Sequence, residues 1–292
     1  MEIQFDTDAM SNLLCRPAAL TALIRAARHG AWSVFISLDV LSELLSSSSQ
    51  KHLRARAEGL LRLFAELEGQ FHTSLGTSEI WPVELDRVVA STPRAPKKRD
   101  ESVRTVLTDL VRARDPTATG AREVREELMG KKAVWEQQAI QDRRRFRDLF
   151  IEKRLKFRSL VSELRAYGPS MVPEGIYTIV LRDIVERPHF PVSKLFRNTR
   201  RYRSIRTWAA LQHLMMFAET VPPDILNQHP MGRWLRSGRN DVFDAAVAAG
   251  AAYSDLLVTE DAILTERCRF LRNRQCIGFR PIGLDELLRL QC

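Results

Sequence analysis

Residues 3–8 read IQFDTD, a short apolar strand pattern that runs directly into two aspartates. Other short runs are rich in β-branched or aromatic residues and resemble strands: residues 34–37 (VFIS), 256–259 (LLVT) and 278–282 (GFRPI). Helical spacing of apolar residues follows each strand, and the segments with that spacing are 17–30, 38–45, 262–271 and 284–290, with an alanine-rich helix at 241–253. Strands that alternate with helices predict an α/β fold, in which both chain ends form one parallel sheet flanked by helices.

The middle of the chain has a different pattern. From about residue 50 to residue 238, long helical periodicities are interrupted by proline and glycine clusters, and almost no segment has a convincing strand pattern. The sequence therefore predicts an α/β core made of residues 1–50 and 238–292. Residues 51–237 would form a large, basic α-helical insertion.

Composition limits the class of protein. The chain has 292 residues, of which 45% are hydrophobic and 28% charged, as in globular proteins with a core of their own. A formal net charge of +9 and a pI near 9.8 favour a polyanionic partner, with nucleic acid first and an anionic membrane surface second. The four cysteines lack metal-ligand spacing, the N-terminus is acidic, and no apolar run approaches the roughly 20 residues of a membrane helix. We expect a soluble, cytoplasmic protein with reduced thiols.

Acidic residues stand where the strands of this sheet end. Asp6 closes the first strand, Asp261 follows the strand at 256–259, and Glu43 lies on the helix that leaves the strand at 34–37. Asp241 and Asp244 are three residues apart at a helix start and share one helix face. Ligands of open parallel sheets bind outside the carboxyl ends of the strands, so these carboxylates would converge there. Neighbouring carboxylates need a counter-charge, and hard oxygen ligands suit Mg²⁺ or Mn²⁺, which can activate water against a phosphodiester.

Each of these acids also has an ordinary structural use. Asp8 and Asp261 suit the N-cap of the helix that follows, Asp241 suits the positive end of a helix dipole, and Glu43 suits a solvated helix face. Single residues leave both uses open. The joint placement of the acids favours a metal site.

Five segments together resemble the motifs of PIN-domain nucleases. They are residues 5–8 (FDTD), 37–44 (SLDVLSEL), 240–249 (NDVFDAAVAA), 257–261 (LVTED) and 279–288 (FRPIGLDELL), in the order that the family has them. The resemblance implies a PIN-like sheet whose catalytic, metal-binding acids are Asp6, Glu43, Asp244 and Asp261. It implies Asp241 as an additional metal ligand, as in the Asn-Asp-x-x-Asp variants of the family. The long middle segment departs from compact PIN toxins, so the chain resembles a larger bacterial PIN-like protein.

Basic residues are concentrated in the predicted insertion. The candidates for contact with nucleic-acid phosphates are Arg143, Arg144, Arg145, Lys153, Arg154, Arg200 and Arg201. A solvated helix face is the ordinary alternative for such charges. Neighbouring aromatics such as Phe146 and Phe150 follow a helical spacing more typical of packing than of base stacking. The amphipathic helices also suit a neutralising protein partner or a second copy of the chain.

Three functions follow from these features. The leading hypothesis is a Mg²⁺- or Mn²⁺-dependent endoribonuclease, where the choice of RNA and a role as a toxin or phage-defence effector are implied by the resemblance alone. The second is a structure-specific DNA nuclease with the same metal chemistry. The third is a non-catalytic nucleic-acid- or partner-binding module, in which the acids do not converge or basic side chains fill the metal positions.

Overall fold

Five parallel strands form one sheet in the computed structural model of the chain. The structure describes residues 1–46, 49–86, 97–115, 202–220, 232–235 and 241–290, together with positions 126, 134, 137, 140, 141 and 144. The strands are β1 (Glu2–Phe5), β2 (Ser33–Ser37), β3 (Phe71–Ser74), β4 (Leu256–Val258) and β5 (Arg280–Ile282). Their order across the sheet is β3-β2-β1-β4-β5, and every neighbouring pair is parallel. The fold is therefore α/β, as the alternation of strands and helices predicts.

Helices cover both faces of this sheet. The longer ones in the first part of the chain are α1 (Thr7–Cys15), α2 (Pro17–Gly30), α3 (Leu38–Leu45), α4 (Gln50–Glu66), α5 (Thr77–Asp86) and α6 (Lys97–Arg112). Those in the second part are α7 (Arg203–Thr220), α8 (Gly232–Leu235), α9 (Asp241–Gly250), α10 (Ala262–Asn273) and α11 (Leu284–Arg289), and a 3-10 turn spans Ala251–Tyr253. None of the helices in the described part of the chain combines the length and the apolar character that a membrane span requires.

Alternate strand residues form the two packing surfaces. On one face Phe71 meets Phe64 of α4 edge to face, with the ring centroids 4.7 Å apart. Helix α1 packs closely against α4 there, because Gly59 has no side chain to collide with Leu14. On the other face α9 approaches β2, where a Cβ on Gly250 would lie 3.6 Å from the Cβ of Ser37. The absence of a side chain at Gly250 thus lets the end of α9 approach the sheet closely.

Helices α5 and α7 support α9 from outside. Trp81 of α5 and Trp208 of α7 meet edge to face at 5.1 Å, and both are buried in the core. Helix α9 packs against both helices. Two helices that are far apart in sequence, α5 and α7, therefore fix the position of α9.

Strand β3 corrects the prediction that residues 51–237 are a helical segment with almost no strand. Its sequence, FHTS, has one apolar residue and lacks the β-branched run that marks the other strands. Partners outside the strand stabilise it at the edge of the sheet. Asp100 of α6 accepts hydrogen bonds from the Thr73 N–H at 2.8 Å and the Thr73 hydroxyl at 2.6 Å. The segment 51–237 thus supplies an edge strand to the sheet, and its proposed role as an insertion stays a prediction.

Candidate active site at the carboxyl edge of the sheet

A row of buried polar residues crosses the sheet where its strands end. Phe5 pairs with Ile36 on one side and with Val258 on the other, and Ser37 pairs with Ser74. When this register is continued by one residue, four buried side chains line up across four strands: Ser74, Ser37, Asp6 and Thr259. The carboxyl edge is therefore polar although the strands below it are apolar.

Asp6 ends β1 and begins α1. Its Oδ1 accepts a hydrogen bond from the Ala9 N–H at 2.6 Å, and its own N–H donates to the Val258 carbonyl at 3.0 Å. Asp6 is thus the N-cap of α1, and the suggestion that Asp8 caps this helix is wrong, since Asp8 lies exposed within its first turn. Burial raises the pKa of Asp6 to about 7, and repulsion from Asp8 and Asp261 adds to the rise.

Asp261 holds the corresponding position after β4. It is the N-cap of α10, accepting the Leu264 N–H at 2.8 Å, and its own N–H donates to the Thr259 hydroxyl at 3.1 Å. Its charge reaches both Asp6 and Asp244. The cap role suggested by the sequence is confirmed, and the same carboxylate belongs to the acidic cluster.

Asp244 lies in the first turn of α9 and faces the same cluster. Burial raises its pKa to about 8, and the charges of Asp261, Asp241 and Asp6 act in the same direction. Within the described residues its carboxylate accepts no hydrogen bond. A half-buried acid with three acidic neighbours is an electrostatic cost to the fold, which marks it as a functional candidate.

Asp241 has a protein cation as its partner. Its Oδ1 accepts a hydrogen bond from Arg267 Nη1 at 2.7 Å, and the two side chains are only 4% and 1% exposed. Arg267 Nε donates to the Trp234 carbonyl at 2.7 Å. Arg267 is absent from the sequence-based site. Its place among Leu264, Cys268 and Leu271, at the spacing of the buried face of α10, is the sequence feature that marks it.

Glu43 joins the cluster through Thr7. The Thr7 hydroxyl donates to Glu43 Oε2 at 2.6 Å, which ties α3 to the residue that follows Asp6. Four predicted acids (Asp6, Asp241, Asp244 and Asp261) thus interact electrostatically, and the fifth, Glu43, accepts a hydrogen bond from Thr7, the residue that follows Asp6. The interactions bring these acids within electrostatic reach of one another, and their role as a catalytic or metal-binding set stays a prediction.

The donor set has the chemistry of a hard-cation site. Among the residues that the structure describes, no three His, Cys, Asp or Glu side chains stand close enough to hold an ion as they are. The buried carboxylates of Asp6 and Asp244 nevertheless repel other acids, and a divalent cation would offset that repulsion. Asp6, Asp244 and Asp261 are therefore candidate oxygen donors that are not arranged to hold an ion here, whereas Asp241 already has a guanidinium partner.

Glu84, on α5, is a buried acid that the sequence pattern does not reveal. It accepts hydrogen bonds from the Ser204 N–H at 2.7 Å and the Ile205 N–H at 3.1 Å, and from the Tyr253 hydroxyl. Glu84 therefore joins α5 to the start of α7 and to the turn that follows α9.

The predicted phosphate contacts fall mainly outside the described residues. Arg144 is described, and it lies exposed at a helical position. The remaining candidates, Arg143, Arg145, Lys153, Arg154, Arg200 and Arg201, lie outside the described part of the chain.

Comparison with known proteins gives no relative from which to assign the site. No protein-family model matches the chain, and neither a curated protein nor a solved structure matches it. The function is therefore argued from the fold and the site alone.

Proposed function

We propose that the chain is a divalent-metal-dependent endoribonuclease with a PIN-like active site. The observation that carries this proposal is the convergence of Asp6, Asp244 and Asp261, from β1, α9 and β4, at one edge of a parallel sheet. The sheet order supports it, because successive connections run from β1 toward β3 but from β4 toward β5. The topological switch point therefore lies between β1 and β4, where open α/β folds bind their ligands. Five parallel strands in this order are compatible with a PIN-like fold.

The acids would have different roles in such a site. Asp6, Asp244 and Asp261 would hold Mg²⁺ or Mn²⁺, and the bound ion would supply an activated water and charge stabilisation for phosphodiester hydrolysis. The backbone fixes two of these ligands, because Asp6 and Asp261 are N-caps of α1 and α10. Glu43, which accepts a hydrogen bond from Thr7 next to Asp6, would orient water or accept its proton.

Charge and thiol chemistry agree with this proposal. A net charge of +9 suits a polyanionic substrate, and the arginines and lysines between residues 143 and 201 would bind its phosphates. Cys15, Cys268 and Cys276 are free thiols in the described part of the chain, as suits the proposed cytoplasmic location. The preference for RNA and a role as a toxin or phage-defence effector rest on the resemblance to PIN domains.

Cleavage assays test the proposal directly. Structured RNA, single-stranded DNA and flap DNA of matched sequence would be incubated with the protein in Mn²⁺ or in EDTA. We expect RNA cleavage in Mn²⁺ alone, and we expect Asp6→Asn and Asp244→Asn each to slow it by roughly 100-fold or more. Asp255→Asn is the matched control, because Asp255 is exposed at the opposite, amino edge of β4.

Each other outcome points to a different function. Cleavage that persists in both acidic variants contradicts the proposed site. Faster cleavage of flap DNA than of RNA indicates a structure-specific DNA nuclease. Nucleic-acid binding without any cleavage in Mn²⁺ indicates a non-catalytic module.

A further inference from the structure

Arg206, near the start of α7, is a buried arginine that pairs with no carboxylate among the residues that the structure describes. The residue is only 7% exposed, and its Nη1 atom is inaccessible to solvent and has no hydrogen-bond partner. Arg267, which is also buried, differs because it pairs with Asp241 and donates to the Trp234 carbonyl. Arg206 therefore carries a positive charge that its described surroundings do not balance.

The guanidinium of Arg206 cannot become neutral by losing a proton. Arginine stays protonated throughout the physiological pH range. A buried carboxyl group behaves differently, since burial raises the pKa of Asp6 to about 7 and lets that group become neutral. A buried ion without a partner of opposite charge is strongly destabilising. An anion from outside the described residues would remove this cost.

A second arginine contributes positive charge near Arg206. Burial raises the pKa of the Cys276 thiol to about 11, and the charges of Arg206 and Arg274 both oppose that rise. Within the described part of the chain, no acid acts on this thiol. Cys268 on α10 has the opposite surroundings, because Asp244 and Asp261 act on it. The loop that carries Cys276, between α10 and β5, is therefore a region of positive potential.

This positive loop lies away from the acidic cluster. It leads into the amino end of β5, whereas Asp6 and Asp261 follow the carboxyl ends of β1 and β4. These three strands are parallel, so the loop and the two acids lie at opposite edges of the sheet. Arg206 acts on the loop and is thus separate from the candidate metal site.

We propose that Arg206, with the charge of Arg274 beside it, binds a phosphate group between α7 and the loop that precedes β5. The planar guanidinium presents paired N–H donors that match two phosphate oxygens. A free phosphate ion and the backbone of a nucleic acid both offer this group. Arg200 and Arg201, two of the predicted nucleic-acid contacts, precede Arg206 in the sequence by only a few residues. The proposal holds whether or not the chain is a metal-dependent nuclease.

Thermal unfolding of the full-length protein in EDTA tests this proposal, with inorganic phosphate as the probe. We expect phosphate to raise the Tm by roughly 3 °C or more relative to sodium chloride of equal ionic strength. Arg206→Met removes the charge and keeps the apolar stem, so it should be at least as stable as the wild type in chloride and should not respond to phosphate. Arg272→Met, at an exposed arginine in the last turn of α10, is the matched control and should respond as the wild type does.

A second probe identifies the source of the phosphate group. Short single-stranded RNA without terminal phosphates is titrated in EDTA, and its binding is followed by fluorescence anisotropy. RNA affinity that falls several-fold in Arg206→Met but not in Arg272→Met supports a nucleic-acid backbone as the ligand. A response to inorganic phosphate alone supports a free phosphate ion.

The remaining outcomes contradict the proposal. Neither probe responding to the wild-type protein overturns it, and so does a folded Arg206→Met variant that responds as the wild type does. A folded Arg206→Met variant that is less stable than the wild type in chloride shows that a protein group balances the guanidinium, which also overturns it. If Arg206→Met does not fold, Arg206→Lys decides, because it keeps the charge and loses the paired donors. Weaker phosphate affinity in that variant supports the proposal, and unchanged affinity overturns it.

Discussion

Asp6 and Thr7 are adjacent in sequence, yet their side chains bind to different elements. Asp6 turns back to cap α1, whereas the Thr7 hydroxyl crosses to Glu43 on α3. Two neighbouring residues at the end of β1 thereby place two carboxylates at one edge. At the scale of single residues, the geometry of the candidate site depends on hydroxyls as much as on acids.

Thr7→Val tests this dependence, because it removes the hydroxyl and preserves the shape of the side chain. A hydrogen bond to a charged group contributes about 1.5–3 kcal/mol, so we expect RNA cleavage to slow by roughly 10-fold or more. Thr7→Ser, which retains the hydroxyl, should stay within about 2-fold of the wild-type rate. Rates measured at saturating Mn²⁺ check the prediction, and equal rates for Thr7→Val and wild type would contradict it.

At the scale of elements, Glu84 determines how the helices around α9 are held. It is fully buried and accepts hydrogen bonds from two backbone N–H groups of α7 and from Tyr253. Burial outweighs these bonds and raises the pKa of Glu84 to about 7. The folded protein therefore binds a proton at this carboxyl more tightly than the unfolded chain does.

This raised pKa predicts how stability varies with pH. Glu84 contributes about 3 kcal/mol to the free energy of unfolding below about pH 4.5. This contribution falls as the pH rises toward 7 and is lost above it. The raised pKa values of Asp6 and Asp244 also make stability fall as the pH rises, so the role of Glu84 is measured by comparing the pH slope of the variant with that of the wild type. We expect Glu84→Gln to flatten the slope of unfolding free energy between pH 5 and 8, as measured by urea denaturation. Glu58→Gln, on the exposed side of α4, should keep the wild-type slope, and a wild-type slope in Glu84→Gln would rule out this role.

Which elements the sequence predicts depends on where each strand lies. The sequence predicts β1, β2, β4 and β5 because these strands are short and mostly apolar and buried. Each is also followed by a segment whose apolar residues have helical spacing. Strand β3 was missed because an edge strand needs few apolar residues when a neighbour such as Asp100 satisfies its backbone. Its pairing with β2 depends on tertiary packing against α4 and α6, which the local sequence pattern does not predict.

At the scale of the whole molecule, topology brings the two ends of the chain together. Residues 3–5 pair with residues 256–258, and this pairing places Asp6 opposite Thr259 and near Asp261. The rule for ligand sites in parallel sheets was enough to predict this convergence from sequence. The Arg267 partner of Asp241 was not predictable in the same way, because a buried ion pair between α9 and α10 depends on the packing of both helices.

The acidic cluster should also limit the stability of the whole protein in the absence of metal. The pKa of Asp244 is raised to about 8 in the folded protein, whereas in the unfolded chain this carboxyl ionises at about pH 4. The free energy of unfolding therefore falls as the pH rises from about 4 to 8. In EDTA at pH 8, Asp244→Asn should therefore raise the unfolding free energy by on the order of 2 kcal/mol, with a smaller gain at pH 5. Mn²⁺ at about 100 times its dissociation constant should stabilise the wild type by about 2.7 kcal/mol and the variant far less. Urea denaturation of wild type, Asp244→Asn and the Asp255→Asn control, each in EDTA and in Mn²⁺, measures both effects. A variant that is less stable than wild type in EDTA at pH 8, or that gains as much from Mn²⁺, would show that Asp244 supports the fold and does not bind the ion.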